Sequence, residues 1–231
     1  DITERKKAEQ QLTVKATTDD LTGCLNRSTI LQQLKMALAA SSPQDVSSHF
    51  CLLMFDLDYF KQINDRWGHQ VGDAALIHFC DRIREVSPAG SALGRVGGEE
   101  FVLLLARTDG MAATLLSSRL RAALISKPLR VGDKTLVLSF SAGVVEVCQG
   151  QRDTSAILMR ADKALYDDKR TGRGKTVLAS DCRLFQPANF PHLSRVIIFL
   201  IRNEMNTFSL AYGKILSASR ILGFLIPKVS C

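Results

Sequence analysis

No apolar run in this 231-residue chain approaches the ~20 residues that a membrane-spanning helix needs. No signal peptide opens it, because Asp1 to Gln11 is charged throughout. An initial methionine is lacking, and the chain is expected to be a piece of something longer. The six cysteines, at 24, 51, 80, 148, 182 and 231, include no CxxC pair, which argues against a zinc site and against a disulfide framework. Reduced thiols in a cytoplasmic protein, several of them core residues, are the expectation. The main body also lacks a basic run with interleaved aromatics, so the net charge of +7 does not point to nucleic acid. Six Lys/Arg against Asp181 and Glu204 put +4 of that charge beyond residue 179, leaving +3 for the 179 residues before it. A phosphate-bearing small molecule suffices as partner for that remainder.

What is present is ordinary globular material, 46% hydrophobic and 23% charged, enough for one domain with appendages. Residues 1 to 16 have high helix propensity and a thin stripe of Ala8, Leu12 and Ala16, which suits either one strand of a dimeric coiled coil or a solvated linker. The spacing of Ile30, Leu31, Leu34 and Leu38 predicts a helix over Arg27 to Ala40 with Asn26 as N-cap. Phe50 to Phe55 is a short continuous apolar run, hence a buried central strand. Val71, Ala75, Phe79 and Ile83 recur at helical spacing. Ser91 to Val96 and Glu99 to Ala106 flank Gly97-Gly98 and predict a hairpin with a two-residue, positive-φ turn. A further helix fits Ala112 to Ala123, strands fit Thr135 to Phe140 and Gly143 to Val147, a helix fits Asp153 to Lys169, and a strand fits Lys175 to Leu178. That order reads as α+β, a mostly antiparallel central sheet flanked by helices.

Chemistry concentrates at two places. Asp56 and Asp58 end the apolar strand, two residues apart and so on one side of it if the strand persists. A core does not need buried carboxylates, which are costly unless paired or metal-bound. Capping of the next helix is a fair alternative for Asp58 and a poor one for Asp56. Glu99 and Glu100 follow the Gly97-Gly98 bend, and a hairpin there could bring Glu99 within reach of Asp56. Two hard oxygen ligands on adjacent strands suit Mg²⁺. Taken alone, Asn64 reads as helix surface, Asp73 as a first-turn charge, and Lys169 and Arg173 as a basic helix end. His69 has no catalytic role in view, and Trp67 and Phe79 belong in the core.

Joined in order, these segments resemble a known family. Asp56-Leu57-Asp58-Tyr59-Phe60-Lys61-Gln62-Ile63-Asn64-Asp65, Gly68-His69, Gly72-Asp73 and Gly97-Gly98-Glu99-Glu100-Phe101 resemble the GGDEF domains in sequence and spacing. Asp20-Leu21-Thr22-Gly23-Cys24-Leu25-Asn26-Arg27, Ser141-Ala142-Gly143-Val144 and Arg160-Ala161-Asp162-Lys163-Ala164-Leu165-Tyr166 match as well, so the resemblance runs from about Thr17 to Leu178. The opening DITERKKAEQQL is similar to the linker that joins PAS sensor domains to GGDEF domains. The implied organisation is a helical linker over 1–16, a catalytic domain over 17–179 and an extension over 180–231.

The resemblance implies a nucleotidyl-cyclase or palm-like fold and a homodimeric diguanylate cyclase that condenses two GTP into cyclic di-GMP. A silent GGDEF sensor module, or another nucleotidyl cyclase or polymerase palm, are the competing readings. Asp56 and Glu99 would bind Mg²⁺, or Mn²⁺ in its place, through side chains and Leu57 through its carbonyl. Glu100 would assist with the metal or with the attacking hydroxyl. Asn64 and Asp73 would read the guanine edge. Lys61, Lys169 and Arg173 would hold the triphosphate, with backbone amides from Asp58 to Phe60. The RxxD motif of product-inhibited members is missing, since Pro88-Ala89-Gly90-Ser91 stands in its place, so no inhibitory site is expected. The extension carries VIIFLI and ILGFLI and reads either as an amphipathic, membrane-surface segment or as a poorly ordered addition foreign to the domain.

Overall fold

The structure, a computed structural model, describes residues 14–40, 49–147 and 151–179. The expectations for 1–13 and for the extension 180–231 lie outside the described residues, as do Cys148, Cys182 and Cys231.

A run of eight residues with no polar side chain before its sixth neighbour dictates the centre of the fold. Strand β1 (Phe50–Leu57) is buried along its whole length. It lies between β3 (Glu100–Ala106) and β6 (Phe140–Val147), antiparallel to both. β2 (Ala92–Arg95) and β7 (Thr176–Leu178) form the two edges, giving the order β2-β3-β1-β6-β7. β7 runs parallel to β6, so the sheet is mostly antiparallel with one parallel edge.

Because side chains alternate across a strand, β1 supplies two cores. Phe50, Leu52 and Met54 pack with α1 (Arg27–Ala40) and α5 (Thr154–Arg170) through Ile30, Leu34, Ile157, Ala161 and Leu165. Cys51, Leu53, Phe55 and Leu57 pack with α3 (His69–Val86) and α4 (Gly110–Ser126) on the other face. There Phe55 meets Phe79 and Phe140 edge-on at centroid distances of 6.0 and 5.5 Å, and Phe79 also meets Phe101. The short α2 (Phe60–Trp67) connects β1 to α3. Asn26 caps α1 as expected, its Oδ1 accepting from the Thr29 amide at 3.0 Å.

Two expectations are corrected. The single strand over Thr135 to Phe140 is instead a small hairpin, β4 (Leu129–Val131) with β5 (Lys134–Leu136), turning at Gly132 with φ 58°. The chain leaves strand geometry at 137–139 because Leu138 is drawn into the core and Ser139 is engaged by Asp58. The diglycine bend is also longer than two residues: both Val96 and Gly97 amides donate to the Glu100 carbonyl, at 2.9 and 3.4 Å, and neither glycine has positive φ.

Phe79→Ala removes a ring that meets Phe55, Phe101 and Phe140 and should cost about 3–5 kcal/mol. A denaturant titration checks it, with the midpoint shifting and the slope unchanged.

Candidate active site

Asp56 continues the face of β1 that carries Phe50, Leu52 and Met54, and is only 6% exposed. A buried carboxylate needs a partner. Lys169, in the last turn of α5, supplies one, its Nζ 2.7 Å from Asp56 Oδ2. Burial nonetheless holds the Asp56 carboxyl above its ordinary range, the hydrogen bond and charge of Lys169 opposing that rise.

Strand pairing brings more acid to the same end. Glu100 lies directly opposite Asp56 in the β1–β3 register, so the two side chains share a face. Glu99 is one step beyond, and its carbonyl accepts from the Leu57 amide at 3.2 Å, closing the end of β1 onto the bend. Glu99 and Glu100 are both pushed above their usual carboxyl range, by burial first and by the charge of Asp56 next. The Glu100 carboxylate occupies the space beside Gly97, where a Cβ would sit 2.3 Å from its Oε2 and displace it.

Three crowded carboxylates facing one lysine leave a deficit of positive charge. Hard oxygen donors of this kind fit Mg²⁺ or Mn²⁺, which takes few protein carboxylates and completes its shell with phosphate and water. Among the described residues no three His, Cys, Asp or Glu side chains close around one point. A cation here would therefore rest on Asp56, Glu99 and backbone oxygen such as that of Leu57, with substrate oxygen completing the shell.

Asp58 belongs to the scaffold. It is buried, its Oδ2 accepts from Ser139 Oγ at 2.7 Å and its Oδ1 from Ser141 Oγ at 2.8 Å. Helix capping, the alternative weighed for it, is not what it does: Tyr59 is the N-cap residue, and no side chain caps α2. The Asp58 amide donates to the Ser139 carbonyl at 2.9 Å, so it is not a free phosphate donor as expected; the first amides of α2 itself remain for that task. Phe60 follows, its ring in the core, so only its backbone faces the site. Lys61 is exposed in the same first turn.

Tyr59 and Arg173 were linked by no sequence signal. Both are non-glycine residues in the left-handed region, at φ 59° and 62°, and the Arg173 guanidinium lies 5.3 Å over the Tyr59 ring. Such backbone strain persists only where surrounding contacts fix it. Buried Asp168 supplies them, its carbonyl accepting from the Arg173 amide at 3.1 Å and its Oδ2 from the Lys175 amide at 3.2 Å. Arg121 adds hydrogen bonds to the Lys175 carbonyl and to Thr176 Oγ1.

The remaining pair lies where α2 meets α3. Asn64 is half-buried on α2, and a Cβ on Gly72 would fall 1.9 Å from its Oδ1. The amide thus fills the space beside Gly72 in the first turn of α3, next to exposed Asp73. Gly72, a motif residue with no role legible in the sequence, leaves the space that this amide fills. Pro88 to Ser91 forms a tight turn closed by Ser91 on the Pro88 carbonyl, with no charged side chain in it.

The family model described as diguanylate cyclase, GGDEF domain, matches residues 16–175. The chain belongs to the GGDEF family. A GGDEF relative, diguanylate cyclase DgcP of Pseudomonas aeruginosa, is 36% identical over 71% of this chain and 24% of its own length. Another, cyclic di-GMP phosphodiesterase PdeR of Escherichia coli, is 33% identical over 76% of this chain and 26% of its own. The chain therefore spans about a quarter of these relatives. The coiled coil and GGDEF domain of DgcB from Caulobacter crescentus, solved in complex with c-di-GMP, superposes with a TM-score of 0.68 at 27% identity, over 77% of this chain and 93% of that one.

In this GGDEF domain the raised carboxyl pKa of Glu100 carries a stability consequence. Its folded-state pKa exceeds its ordinary 4.5, so the unfolded chain ionises first and stability falls as pH climbs from that value through the folded one. Glu100→Gln should raise the thermal midpoint at pH 7 in metal-free buffer and leave it unchanged well below pH 4.5. Thermal melts at the two pH values check this.

Proposed function

We propose that the chain is the catalytic domain of a diguanylate cyclase, spanning 17–179, which condenses two GTP into cyclic di-GMP with release of pyrophosphate. The observation that supports it most is the meeting of Asp56, Glu99, Glu100 and Lys169 at the end of the central strand.

Guanine is read by Asp73, whose carboxylate accepts from the N1 and N2 donors, and by Asn64, whose amide donates to a ring acceptor. Gly72, lacking a Cβ, leaves the Asn64 amide room for that contact. The triphosphate is held by Lys61, Lys169, Arg173 and the first amides of α2. Tyr59 keeps the Arg173 guanidinium aimed at the site. Asp56, Glu99 and the Leu57 carbonyl hold the divalent ion, Mg²⁺ or Mn²⁺, which when bound neutralises phosphate charge and lowers the pKa of the attacking hydroxyl. Glu100, kept basic enough by its neighbours, accepts a proton from the 3′-hydroxyl of the partner GTP. That hydroxyl attacks the α-phosphate, and pyrophosphate leaves in line.

Each domain holds one GTP, so two copies face one another and each supplies half of the reaction centre. The helical linker over 1–16, leading from an upstream sensor, sets their separation. The domain works in the cytoplasm, where GTP is available; no helix among the described residues is long and apolar enough to cross a membrane. Product binds no separate inhibitory site, since Pro88 to Ser91 offers no arginine or aspartate.

Incubation with GTP and Mg²⁺, followed by mass analysis, should yield cyclic di-GMP, with ATP giving nothing. Glu99→Gln should lower turnover by at least ~10²-fold while the fold and guanine binding persist. GTP bound but never converted by the dimeric wild-type chain would favour a silent sensor module instead. A titration of cyclic di-GMP against the domain with its GTP site blocked should show no binding; saturable binding would overturn the absence of a feedback site.

A further inference from the structure

The scattered cysteines were expected to be reduced thiols, several of them in the core, and folding brings two of them together. Cys24 lies in the turn before α1 and Cys80 in the middle of α3, 56 positions apart, with their Sγ atoms 3.2 Å apart. A disulfide needs about 2.05 Å between sulfurs, so about 1 Å of approach separates this pair from a bond. Both are free thiols, 3% and 0% exposed.

Apolar packing alone would not put a guanidinium beside them. Arg84 Nη2 lies 3.3 Å from Cys24 Sγ and donates to the Thr22 carbonyl at 2.8 Å, while its Nη1 pairs with Asp81 at 3.1 Å. The hydrogen bond with Cys80 lowers the Cys24 pKa against the effect of burial, and Thr22 and Arg84 add to it. The same hydrogen bond and burial raise that of Cys80. The guanidinium of Arg84 touches Cys24 alone of the two, so thiolate is favoured at Cys24 and the proton is left to Cys80. Cys51 provides an internal contrast: its thiol donates to the Thr108 carbonyl, and burial pushes its pKa up to about 12.

We propose that Cys24 and Cys80 are a modification site for hydroperoxides, which oxidise the pair to a disulfide. The Cys24 thiolate attacks the terminal peroxide oxygen, forming an S–O bond as the O–O bond breaks and an alcohol, or water from hydrogen peroxide, departs. Cys80 then releases its proton, and its sulfur attacks that of Cys24, expelling the oxygen as water. Two thiols lose two electrons and two protons; the hydroperoxide gains both.

The position gives the bond a consequence. The Cys24 carbonyl accepts from the Asp19 amide at 2.8 Å, Asp19 pairs with Arg95 at 3.2 Å, and Arg95 Nη2 donates to the Gly98 carbonyl at 2.7 Å. Leu25 bridges to Gly94 beside them. The disulfide would fasten to α3 the stretch of chain that joins the N-terminal linker to the diglycine bend.

The test uses the full chain and does not involve GTP, so its outcome is separate from that of the cyclase assignment. The protein is treated with hydrogen peroxide, denatured, alkylated and digested with trypsin. Peptides 16–27 and 67–82 should appear joined, separate again after dithiothreitol, and the oxidised chain should melt at a higher temperature because the bond closes a long loop. Arg84→Gln, which keeps both cysteines, should slow the joining several-fold; Cys24→Ser should abolish it. Recovery of both thiols alkylated at peroxide doses that consume added glutathione would overturn the proposal. So would Cys24 joined to a different cysteine, or an Arg84→Gln rate equal to wild type.

Discussion

The candidate site depends on a carboxyl group set at the end of a strand that is otherwise sealed from water. β1 is apolar from Phe50 to Phe55 and flanked by strands on both edges and helices on both faces. Asp56 extends that strand with its carboxyl still in the interior, where ionisation is expensive. Lys169, from the helix that covers this face of the sheet, offsets part of the cost. The neighbouring strand adds to the cost, because its register sets Glu100 opposite Asp56. The structure thus concentrates like charges where a stability-driven design would separate them. Such a concentration is what a site for a divalent cation and a polyanionic substrate requires.

The other features of this end of the sheet serve to hold that arrangement. Ser139 and Ser141 fix Asp58 and with it the turn into α2. Asp168 and Arg121 fix the loop that presents Arg173, and Tyr59 receives its guanidinium. Missing side chains matter as much: bare Gly72 and Gly97 leave room for the Asn64 amide and the Glu100 carboxylate. Family membership and these contacts are consistent with one another, and the chain spans about a quarter of its curated relatives.

Much of this was legible in the sequence, and what was not has a common cause. Helical spacing marked α1 to its exact bounds, and the apolar run marked β1 as central, because both signals are local. Asp56 stood out as a charge that a core strand does not need, whereas Glu99 and Glu100, which alone could mark a plain surface turn, stood out through the family motif. Contacts between distant positions left no such trace. Asp58 looked like a cap because its serine partners lie 81 and 83 residues away. The β4–β5 hairpin was missed because Leu129 to Leu136 alternates weakly and turns on one glycine. Tyr59 meets Arg173 and Cys24 meets Cys80 only after folding.

The most direct measurement is a crystal structure of the domain with a non-hydrolysable GTP analogue and Mn²⁺, with anomalous scattering used to place the metal. The account predicts a peak between the Asp56 and Glu99 carboxylates, in contact with phosphate oxygen, and Lys169 released from Asp56. A metal held elsewhere, or the two carboxylates turned apart around an empty gap, would contradict it.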